Sequence, residues 1–523
     1  MTRQSNEDPA VVQGSRKSAE TQEVERPGGA KGVPVNQQAG QLSLCFGTAE
    51  NPDPGGPGVV VGAEVTQATP VPDAAPKPKH KKERVVSATM EEVTRHLKGA
   101  FQQVASNRGA PGPDGQSIAM VRVRLNELLP ELSRSLLDGS YRPGNIRRVW
   151  IPKPGKGRRG LGIPDVVDRV VQEAVRQVLE PLYEPTFHES SHGFRPGRSC
   201  HTAIWQAQQY VEDGYEWTAD LDLAKFFDKV NHQRLMSRLA KRIEDRRLLE
   251  LIGHMLKAKV VLPDGVVVST EEGVPQGGPL SPLLSNIVLD EFDQELARRG
   301  HRFVRYADDV NIYVRSERAG QRVLASVISF LERRMRLKVN ESKSAVARTE
   351  ERHFVGFIVK RELKDGGVEV LLSERSRERI DEKIRSLTPR SRGSSMEEII
   401  KRLNRYLDGW IGFFGICTDE AERTFSNIDA HIRRRLRAIQ LKHWKRKRTI
   451  SFRLIQRGVP RRTVWRQVYG GRKSIWAMSY MPVVHRGLRN AYLTELGLVT
   501  LLERWRGIPE QVVAPAQLKL ALG

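Results

Sequence analysis

The sequence predicts an α+β fold in its first part and a mainly α-helical second part, and three observations support this prediction. Short strands and helices mix irregularly between residues 87 and 371, without the regular alternation that is typical of parallel-sheet proteins. From residue 375 onward, helical patterns dominate. The chain has 523 residues, of which 39% are hydrophobic, so it has enough apolar material for two or three domains with sizeable cores.

Hydrophobic periodicity and chain-breaking residues define the elements in order. We predict helices from a cap at Ser87 or Thr89 to Asn107 and over residues 117–138, 165–183, 201–213, 231–257, 281–298 and 319–336. We predict strands over residues 147–152, 217–222, 302–306, 310–314 and 353–371, and a hairpin within residues 259–269. We find no internal repeat.

The net charge indicates the class of partner. The chain has 86 Lys and Arg against 62 Asp and Glu, a net charge of +24, and its pI is about 10.1. A surplus of this size points to a polyanion, most often nucleic acid. No apolar run is long enough to span a membrane, and the N-terminus has no secretory pattern. Cys45, Cys200 and Cys417 lie far apart, so we expect no disulfide framework, no structural zinc and a reducing compartment.

The N-terminal segment differs from the rest of the chain in composition. Residues 1–84 contain ten basic and ten acidic side chains, twenty Gly or Pro, and Phe46 as the one aromatic residue. Such a segment cannot bury enough apolar surface to offset the entropy of ordering, so we predict a disordered extension over residues 1–85. Its basic end at residues 76–84 is either a nucleic-acid-binding arm, a targeting signal or, as we favour, a solvated linker.

A second segment near the C-terminus concentrates positive charge. From His431 to Thr494, here called the acid-free segment, there is no Asp or Glu but there are eighteen Lys or Arg. Trp444, Trp465 and Trp476 lie among them, although some of these rings are expected in the core. A merely solvated face normally mixes both signs of charge. We therefore predict a nucleic-acid surface, and RNA fits well because unstacked bases stack on aromatic rings.

Two adjacent acids stand between two short predicted strands. Asp308 and Asp309 lie at the tip of this hairpin, and the alternation from Trp217 to Asp222 places Asp220 and Asp222 together on one strand face. Crowded carboxylates repel one another unless a cation lies between them or one of them is protonated. Mg²⁺ prefers such oxygen ligands, and two metal ions can support an in-line phosphoryl transfer.

Several motifs then resemble those of reverse transcriptases, in the order expected along the chain. They are Ile151–Pro154 with Arg159–Pro164 (fingers), Asp222–Asp228 (first palm motif), Gly273–Pro282 (nucleotide pocket) and the turn Tyr306-Ala307-Asp308-Asp309. Further segments resemble one subgroup, the group II intron-encoded reverse transcriptases or maturases: His192–Ser199, Arg405–Trp410, Ile432–Arg437 and Asn490–Leu501. The similarity covers roughly residues 87–505.

The resemblance implies a right-hand polymerase architecture. Residues 86–374 would form fingers and palm, with an antiparallel sheet and helices, and residues 375–505 would form the α-helical thumb or maturase (X) domain, followed by a tail at 506–523. Many family members continue into a zinc-endonuclease region with paired cysteines. This sequence resembles the shorter type that lacks it, so we expect no cleavage of target DNA by this chain.

The resemblance also implies the site residues. Asp222, Asp308 and Asp309 would be the catalytic residues and would hold two Mg²⁺ per active site, with Asp220 as the alternative to Asp222. The family's nucleotide-binding positions correspond to Lys153, Arg159, Phe227, Gln276, Gly277 and Lys343, and its primer grip to Phe354, Gly356 and Phe357. A bulky ring at Phe227 would exclude a ribose 2′-OH. Against this stands the interpretation that Phe226 and Phe227 are ordinary core residues, which we expect to hold for one of the two. For RNA binding we predict Arg433, Arg434, Arg435, Arg437, Lys442, Trp444, Lys445, Arg446, Lys447 and Arg448.

The expected function is that of an RNA-directed DNA polymerase that also binds its intron RNA and assists splicing and retrohoming. Its partners would be intron RNA, an RNA template, a DNA primer or target and dNTPs, in a bacterial, cytoplasmic nucleoprotein. Two alternatives remain open. One is a reverse transcriptase with a role in defence or repair, and the other is an RNA-binding splicing factor without polymerase activity.

Overall fold

A computed structural model describes residues 88–152, 157–362, 366–389, 393–418, 420–471 and 473–508. The predicted disordered extension over residues 1–85 and the predicted nucleotide-binding residue Lys153 lie outside the described residues. Most described residues belong to one unit, which covers Pro76–Trp150 and Arg158–Gly523. The architecture below is that of this unit.

Ten α-helices of the described residues lie in the first part of the chain, before Glu374. They are α1 (Met90–Ser106), α2 (Ile118–Val123), α3 (Leu125–Leu137), α4 (Val166–Tyr183), α5 (Cys200–Glu212), α6 (Phe226–Lys229), α7 (His232–Leu239), α8 (Arg246–Leu256), α9 (Ser281–Arg298) and α10 (Glu317–Phe330). Side-chain caps explain several of their starts. Thr89 accepts a hydrogen bond from the Glu92 backbone N–H, and Ser199 forms a capping box with Thr202.

The strands form three described sheets. The strands are β1 (Ile146–Pro152), β2 (Arg158–Ile163), β3 (Trp217–Asp222), β4 (Val260–Val261), β5 (Val267–Val268), β6 (Arg302–Tyr306), β7 (Asp309–Val314), β8 (Ala345–Arg348), β9 (Phe357–Arg361) and β10 (Val368–Leu372). One sheet has the order β2-β1-β4-β5, and β9 pairs with β10 in a hairpin. The central sheet has the order β6-β7-β3-β8, and all its pairings are antiparallel.

The second part of the chain is helical. Its helices are α11 (Glu374–Leu387), α12 (Met396–Phe414), α13 (Ala421–His443), α14 (Lys447–Gln456), α15 (Arg461–Tyr469), α16 (Ile475–Met478), α17 (Pro482–Gly487), α18 (Asn490–Glu495) and α19 (Leu501–Arg506). Together with the sheets of the first part, which are antiparallel except for the parallel pair β1–β4, this arrangement confirms the predicted α+β class. None of the helices in the described part of the chain combines the length and apolar character that a membrane crossing requires.

Four apolar clusters hold the described elements together, the smallest of which packs Ile146 of β1 against Ala258 and Val260. The largest packs α1, α4, α8 and α9 against strands β3, β6 and β7. A second core joins α5 and the β9–β10 hairpin to helices α11, α12 and α13. A smaller core lies beneath α14, α15 and α17 inside the acid-free segment, so this basic segment is folded around its own apolar centre.

The structure corrects several predicted elements. The helix predicted over residues 231–257 is broken, because Asp245 caps a new helix by accepting hydrogen bonds from the backbone N–H groups of Arg247 and Leu248. Helix 117–138 is interrupted at Arg124, whose backbone leaves the helical region. The strand predicted over residues 353–371 is a hairpin, and β8, which the sequence reasoning missed, completes the central sheet.

Candidate active site and nucleic-acid interface

The antiparallel register of the central sheet brings the predicted acids together. Strand β3 pairs with β7 so that Asp222 lies directly opposite Asp309 and Asp220 lies opposite Asn311. Tyr306-Ala307-Asp308-Asp309, here called the aspartate turn, joins β6 to β7, and Tyr306 pairs with Asp309. Directly opposed residues of antiparallel strands have side chains within roughly 5 Å of each other. Asp222 and Asp309 are therefore neighbours, as the sequence reasoning expected.

Asp220 and Asp222 share a strand face but have different partners. Arg352 binds Asp220 through both its Nη2 and Nε atoms, at 2.6 and 3.0 Å from Oδ2. Asp222 Oδ2 instead accepts hydrogen bonds from Asn340 Nδ2 at 3.0 Å and from Lys343 Nζ at 3.2 Å. Asp220 thus has a bidentate arginine partner, whereas Asp222 faces the aspartate turn. This difference favours Asp222 as the third acid of the site.

The carboxylates of Asp308 and Asp309 repel each other and are partly desolvated, which disfavours their ionised forms. Partial desolvation by the surrounding chain, followed by the charges of Asp308, Asp220 and Asp222, raises the pKa of Asp309 to about 7, although its side chain still reaches solvent. Desolvation also raises the pKa of Asp308, which the positive charge of Arg159 partly opposes. A divalent cation relieves such repulsion, and carboxylate oxygens are the ligands that Mg²⁺ prefers. The donor set therefore fits magnesium, although no group of three His, Cys, Asp or Glu in the described residues is already close enough to enclose an ion.

Two predicted nucleotide-binding residues contact each other beside the site. Arg159 Nε donates to Gln276 Oε1 at 2.9 Å, and the Gly162 N–H donates to the Gln276 carbonyl at 2.6 Å. Gly277 has a φ of +126°, and a Cβ there would lie 2.3 Å from the Gly162 carbonyl oxygen. Only glycine therefore allows the two loops to approach this closely. The contact joins strand β2 to the predicted pocket motif.

The two phenylalanines of the first palm motif are both buried. Phe226 is 2% exposed and Phe227 is 7% exposed, and their ring centroids are 5.5 Å apart. Both rings pack in the largest apolar core, whereas the sequence analysis expected a core position for one of the two. The backbone of Phe227 also holds the pocket motif, because its carbonyl accepts a hydrogen bond from the Val274 N–H at 2.6 Å. The contact between Phe227 and an incoming sugar stays a prediction.

The predicted primer grip is a tight hairpin turn. Phe354 and Phe357 exchange backbone hydrogen bonds of 2.9 Å across Val355 and Gly356, which have φ angles of +42° and +97°. Both phenylalanine rings are buried. Ser376, in the first turn of α11, donates through Oγ to the Gly356 carbonyl at 2.8 Å. The turn is therefore anchored to α11, the first helix of the second part of the chain.

The predicted RNA-binding residues fall into exposed and structural groups. Those exposed to solvent are Lys442, Lys445, Arg446 and Arg448, while Arg433, Trp444 and Lys447 are half-buried. Arg435 donates to the Thr388 hydroxyl and carbonyl, which ties α13 to the end of α11. Arg434 lies over the ring of Trp476, with its Cζ 4.1 Å from the centroid.

Arg437 is a correction to the predicted RNA-binding set. It is 4% exposed, and it donates to the Leu488 carbonyl and to Asn490 Oδ1, both at 2.8 Å. Burial lowers the pKa of its guanidinium to about 10. A side chain enclosed in this way cannot reach a phosphate, so Arg437 holds α13 against the start of α18 instead.

Exposed aromatic rings were only partly anticipated from the sequence. Of the three tryptophans of the acid-free segment, Trp465 is exposed, whereas Trp444 and Trp476 are half-buried. Trp465 stacks on Tyr469 with centroids 4.5 Å apart and an interplanar angle of 13°. Phe452 and Tyr480 are exposed as well. The spacing of Trp465 and Tyr469, four residues apart in a helix, was the available signal for this pair.

Two segments of the chain match known protein families. Residues 151–359 match the family described as reverse transcriptase (RNA-dependent DNA polymerase), and residues 377–457 match the group II intron, maturase-specific domain. The first match contains the pocket motif, the aspartate turn and Asp222. The second contains helices α12 and α13 and the exposed basic residues that follow them.

Individual relatives match over shorter stretches. Protein YkfC of Escherichia coli (strain K12) is 43% identical over 209 residues, which are 39% of this chain and 55% of that protein. Group II intron-encoded protein LtrA of Lactococcus lactis subsp. cremoris is 39% identical over 214 residues, 39% of this chain and 34% of that protein. Nuclear intron maturase 4, mitochondrial, of Arabidopsis thaliana is 35% identical over 143 residues, 27% of this chain and 18% of that protein.

The matched segments span 55%, 34% and 18% of these three relatives, less than two thirds of each. The family matches nevertheless lie in the same order as the motifs found in the sequence, and they confirm the resemblance seen there. The chain therefore carries a reverse transcriptase domain followed by a group II intron maturase-specific domain.

Proposed function

We propose that this protein is an RNA-directed DNA polymerase that also binds its intron RNA and assists splicing and retrohoming. The observation that carries the proposal is the pairing of Asp222 with Asp309 beside Asp308, within a segment that matches reverse transcriptases. The boundaries of its parts follow the sequence prediction, with fingers and palm over residues 86–374 and a thumb or maturase domain over residues 375–505.

Asp222, Asp308 and Asp309 would hold Mg²⁺, two ions per active site. When bound, these ions would polarise the primer 3′-OH and neutralise the negative charge that develops on the pyrophosphate. The 3′-OH would give up its proton to solvent as its oxygen forms a bond to the α-phosphorus of a dNTP. The bond from the α-phosphorus to the oxygen that bridges to the β-phosphate would break, and pyrophosphate would leave with that oxygen. The three aspartates would place their negatively charged carboxylates around the position of the two cations.

The remaining pocket residues would bind and orient the nucleotide. The positive charge of Arg159 lowers the pKa of Asp308, and its Nε donates a hydrogen bond to Gln276. A triphosphate in this pocket would therefore meet a cation that is held in place. Lys343 is 63% exposed at its side chain and 3.2 Å from Asp222, which suits a lysine that neutralises the leaving pyrophosphate. Lys153 and Gly277 complete the proposed pocket, and Phe227 would select deoxyribose.

The helical part would hold nucleic acid. The turn of Phe354, Gly356 and Phe357 would support the primer, and the acid-free segment would bind template–primer and intron RNA through its exposed cations. The same surface would serve splicing, because an intron RNA presents both phosphates and unpaired bases. As a nucleoprotein component, the protein would act in the cytoplasm of a bacterium.

Primer extension on an RNA template tests the polymerase proposal. The wild-type protein should extend a DNA primer with dNTPs and Mg²⁺, and Asp308→Ala should abolish extension while RNA affinity stays within about twofold, because the acid-free segment is untouched. Absence of extension by folded wild-type protein with any divalent cation would favour the RNA-binding factor without polymerase activity. Loss of both extension and RNA binding in Asp308→Ala would mean that the substitution only unfolds the palm.

A splicing assay separates the remaining alternative. RNA containing the reading frame with its flanking nucleotides should splice faster when the protein is added at low Mg²⁺. Active polymerase without any effect on splicing would favour a reverse transcriptase with a role in defence or repair.

A further inference from the structure

The motif His192–Ser199 is typical of the subgroup, yet none of its side chains was predicted to contact substrate. The structure places the loop that contains it, residues 188–199, directly behind the aspartate turn. A Cβ on Gly193 would lie 2.3 Å from the Ala307 backbone nitrogen, so only glycine permits this approach. The loop also pairs with β6, because the His192 N–H donates to the Arg305 carbonyl and the Arg305 N–H donates to the Ser190 carbonyl, each at 2.8 Å.

One fully buried side chain connects this loop to the turn. Arg305, two residues before Ala307, is 0% exposed. Its Nη2 donates to Ser191 Oγ at 2.6 Å, and its Nη1 donates to Asn286 Oδ1 and to the Ala307 carbonyl, each at 2.9 Å. Asp293 neutralises its charge through contacts of 2.5 to 3.0 Å. A guanidinium has five donors, and here they reach helix α9, the loop and the turn at once.

The backbone that Arg305 holds is strained. Ala307 has a φ of +58°, the left-handed region that residues with a Cβ rarely adopt. This conformation determines where Asp308 and Asp309 leave the turn. Left-handed backbone at a non-glycine residue persists when surrounding contacts fix it, and such residues cluster at functional sites. The Ala307 carbonyl and nitrogen are the atoms that Arg305 and Gly193 meet.

The loop itself is fixed independently of the turn. Arg195 donates to the His188 and Ser191 carbonyls at 2.7 and 2.8 Å and forms an ion pair with Glu184. His192 is buried between Thr202 and Gln206, which it contacts at 2.8 and 2.7 Å. The loop is therefore a rigid support, and Ser191 is presented to Arg305 from a fixed position.

We propose that Arg305 is a positioning residue, which acts with Ser191 and Asn286 to hold Ala307 in its left-handed conformation and so aims Asp308 and Asp309 at the metal position. This inference rests on the proposed function. It assigns the subgroup motif the task of setting the geometry of the polymerase site, without contact to nucleotide or nucleic acid. A small displacement of the two carboxylates would weaken both metal binding and the chemical step.

Two serine-to-alanine substitutions provide a matched test. Ser191→Ala removes the hydroxyl that fixes Arg305 Nη2. Ser285→Ala removes a hydroxyl that is equally buried, on the same helix as Asn286, but for which the described residues offer no hydrogen-bond partner. Each variant would be measured for melting temperature, for Mn²⁺ affinity by electron paramagnetic resonance without substrates, and for kcat and KM for dNTP.

We expect Ser191→Ala to bind Mn²⁺ about 10-fold more weakly and to lose about 10- to 100-fold in kcat, with little change in KM. Ser285→Ala should match the wild type in all four quantities. Arg305→Lys, which keeps the charge beside Asp293 but has fewer donors, should show a larger loss of Mn²⁺ affinity while circular dichroism confirms that it is folded.

A lower melting temperature in Ser191→Ala, with Mn²⁺ affinity and kcat equal to those of Ser285→Ala, would overturn the inference. Arg305 would then only stabilise the fold. If the wild type extends no primer, the proposed function fails instead. The Mn²⁺ comparison then still decides whether Arg305 positions the aspartates.

Discussion

The aspartate turn and the acid-free segment are opposite in charge and in construction. Asp222, Asp308 and Asp309 gather on the central sheet, whose register is fixed residue by residue. In the acid-free segment, four of the predicted RNA-binding cations lie exposed around α13 and α14, over a small apolar core. Each region concentrates one sign of charge.

The comparison shows how each kind of site obtains its counter-charge. The aspartates need a small cation at a defined point, so their backbone is held by buried groups such as Arg305 and Gly193. The cations need a long polyanion, which can be met by exposed side chains without fixed geometry. We therefore expect substitutions around the aspartate turn to act on chemistry, and substitutions in the acid-free segment to act on RNA affinity and its salt dependence.

The largest effect on affinity should come from removing exposed charge. Lys445→Ala, Arg446→Ala and Arg448→Ala combined should weaken RNA binding about 10- to 100-fold and reduce the slope of log affinity against log salt by about 2 to 3. Filter binding at several salt concentrations measures both quantities.

The matched control removes three exposed lysines from the first part of the chain. Lys98→Ala, Lys241→Ala and Lys257→Ala lower the net charge equally, yet they should change the slope by less than about 1. Equal slopes for the two triple variants would show that net charge alone attracts RNA, and the comparison between regions would fail.

Arg437 should affect stability rather than RNA. Arg437→Met leaves the Leu488 carbonyl and Asn490 without their buried donor, which should destabilise the fold by about 1 to 3 kcal/mol. A thermal melt of the variant beside Arg448→Ala, which should melt like the wild type, checks this. Unchanged stability of Arg437→Met together with weaker RNA binding would show that Arg437 belongs to the RNA-binding surface after all.

Stacking should contribute a smaller and salt-independent part of affinity. Trp465→Ala removes the exposed ring above Tyr469 and should weaken binding to single-stranded RNA by about 1 to 2 kcal/mol, whereas Trp465→Phe should keep most of it. The salt slope should stay that of the wild type. A fall in the slope, or no loss of affinity at all, would mean that Trp465 does not stack on a base.

The smallest expected effect concerns pH. The pKa of Asp309 is about 7 in the folded protein and about 3.9 in an unfolded chain. Well below pH 4, Asp309 is protonated in both states and does not change the free energy of unfolding. Its destabilising contribution grows as the pH rises towards 7 and stays constant above that. Without metal, Asp309→Asn should stabilise the protein by about 1 kcal/mol at pH 8, after allowance for solvent screening, and by less at pH 5.

Melting temperatures in the presence of a chelator at the two pH values measure this difference. Added Mg²⁺ should raise the melting temperature of the wild type at pH 8 and leave Asp309→Asn less affected. A wild type that melts higher than the variant at pH 8 without metal would contradict the electrostatic account of the turn.

Much of this comparison was predictable from local patterns. The alternation from Trp217 to Asp222 placed Asp220 and Asp222 on one strand face, and the resemblance to reverse transcriptases predicted that Asp222 meets the aspartate turn. The acid-free segment was visible as composition. Local patterns failed where distant residues decide, as when Asp245 starts a new helix inside a continuous helical pattern or when β8 joins the sheet beside β3.

Burial of polar groups was the other limit of sequence reasoning. Arg437 and Arg448 both lie in a basic stretch of sequence and cannot be told apart there. Only the packing of Arg437 against Leu488 and Asn490 shows that it is buried. Asp220 and Asp222 likewise share a face, and the distinction depends on Arg352, which is 132 residues away in sequence. The role of Arg305 required the same long-range information.

The central claim is that Asp222, with the two turn acids, holds the divalent ion that supports nucleotide addition. Single-nucleotide primer extension across a range of Mg²⁺ concentrations, in the wild type, Asp222→Asn and Asp220→Asn, tests it most directly. The account predicts a loss of about 10³-fold or more in Asp222→Asn and a loss of at most about tenfold in Asp220→Asn, whose native partner is Arg352. Equal activity of Asp222→Asn and the wild type, or a larger loss in Asp220→Asn, would contradict it.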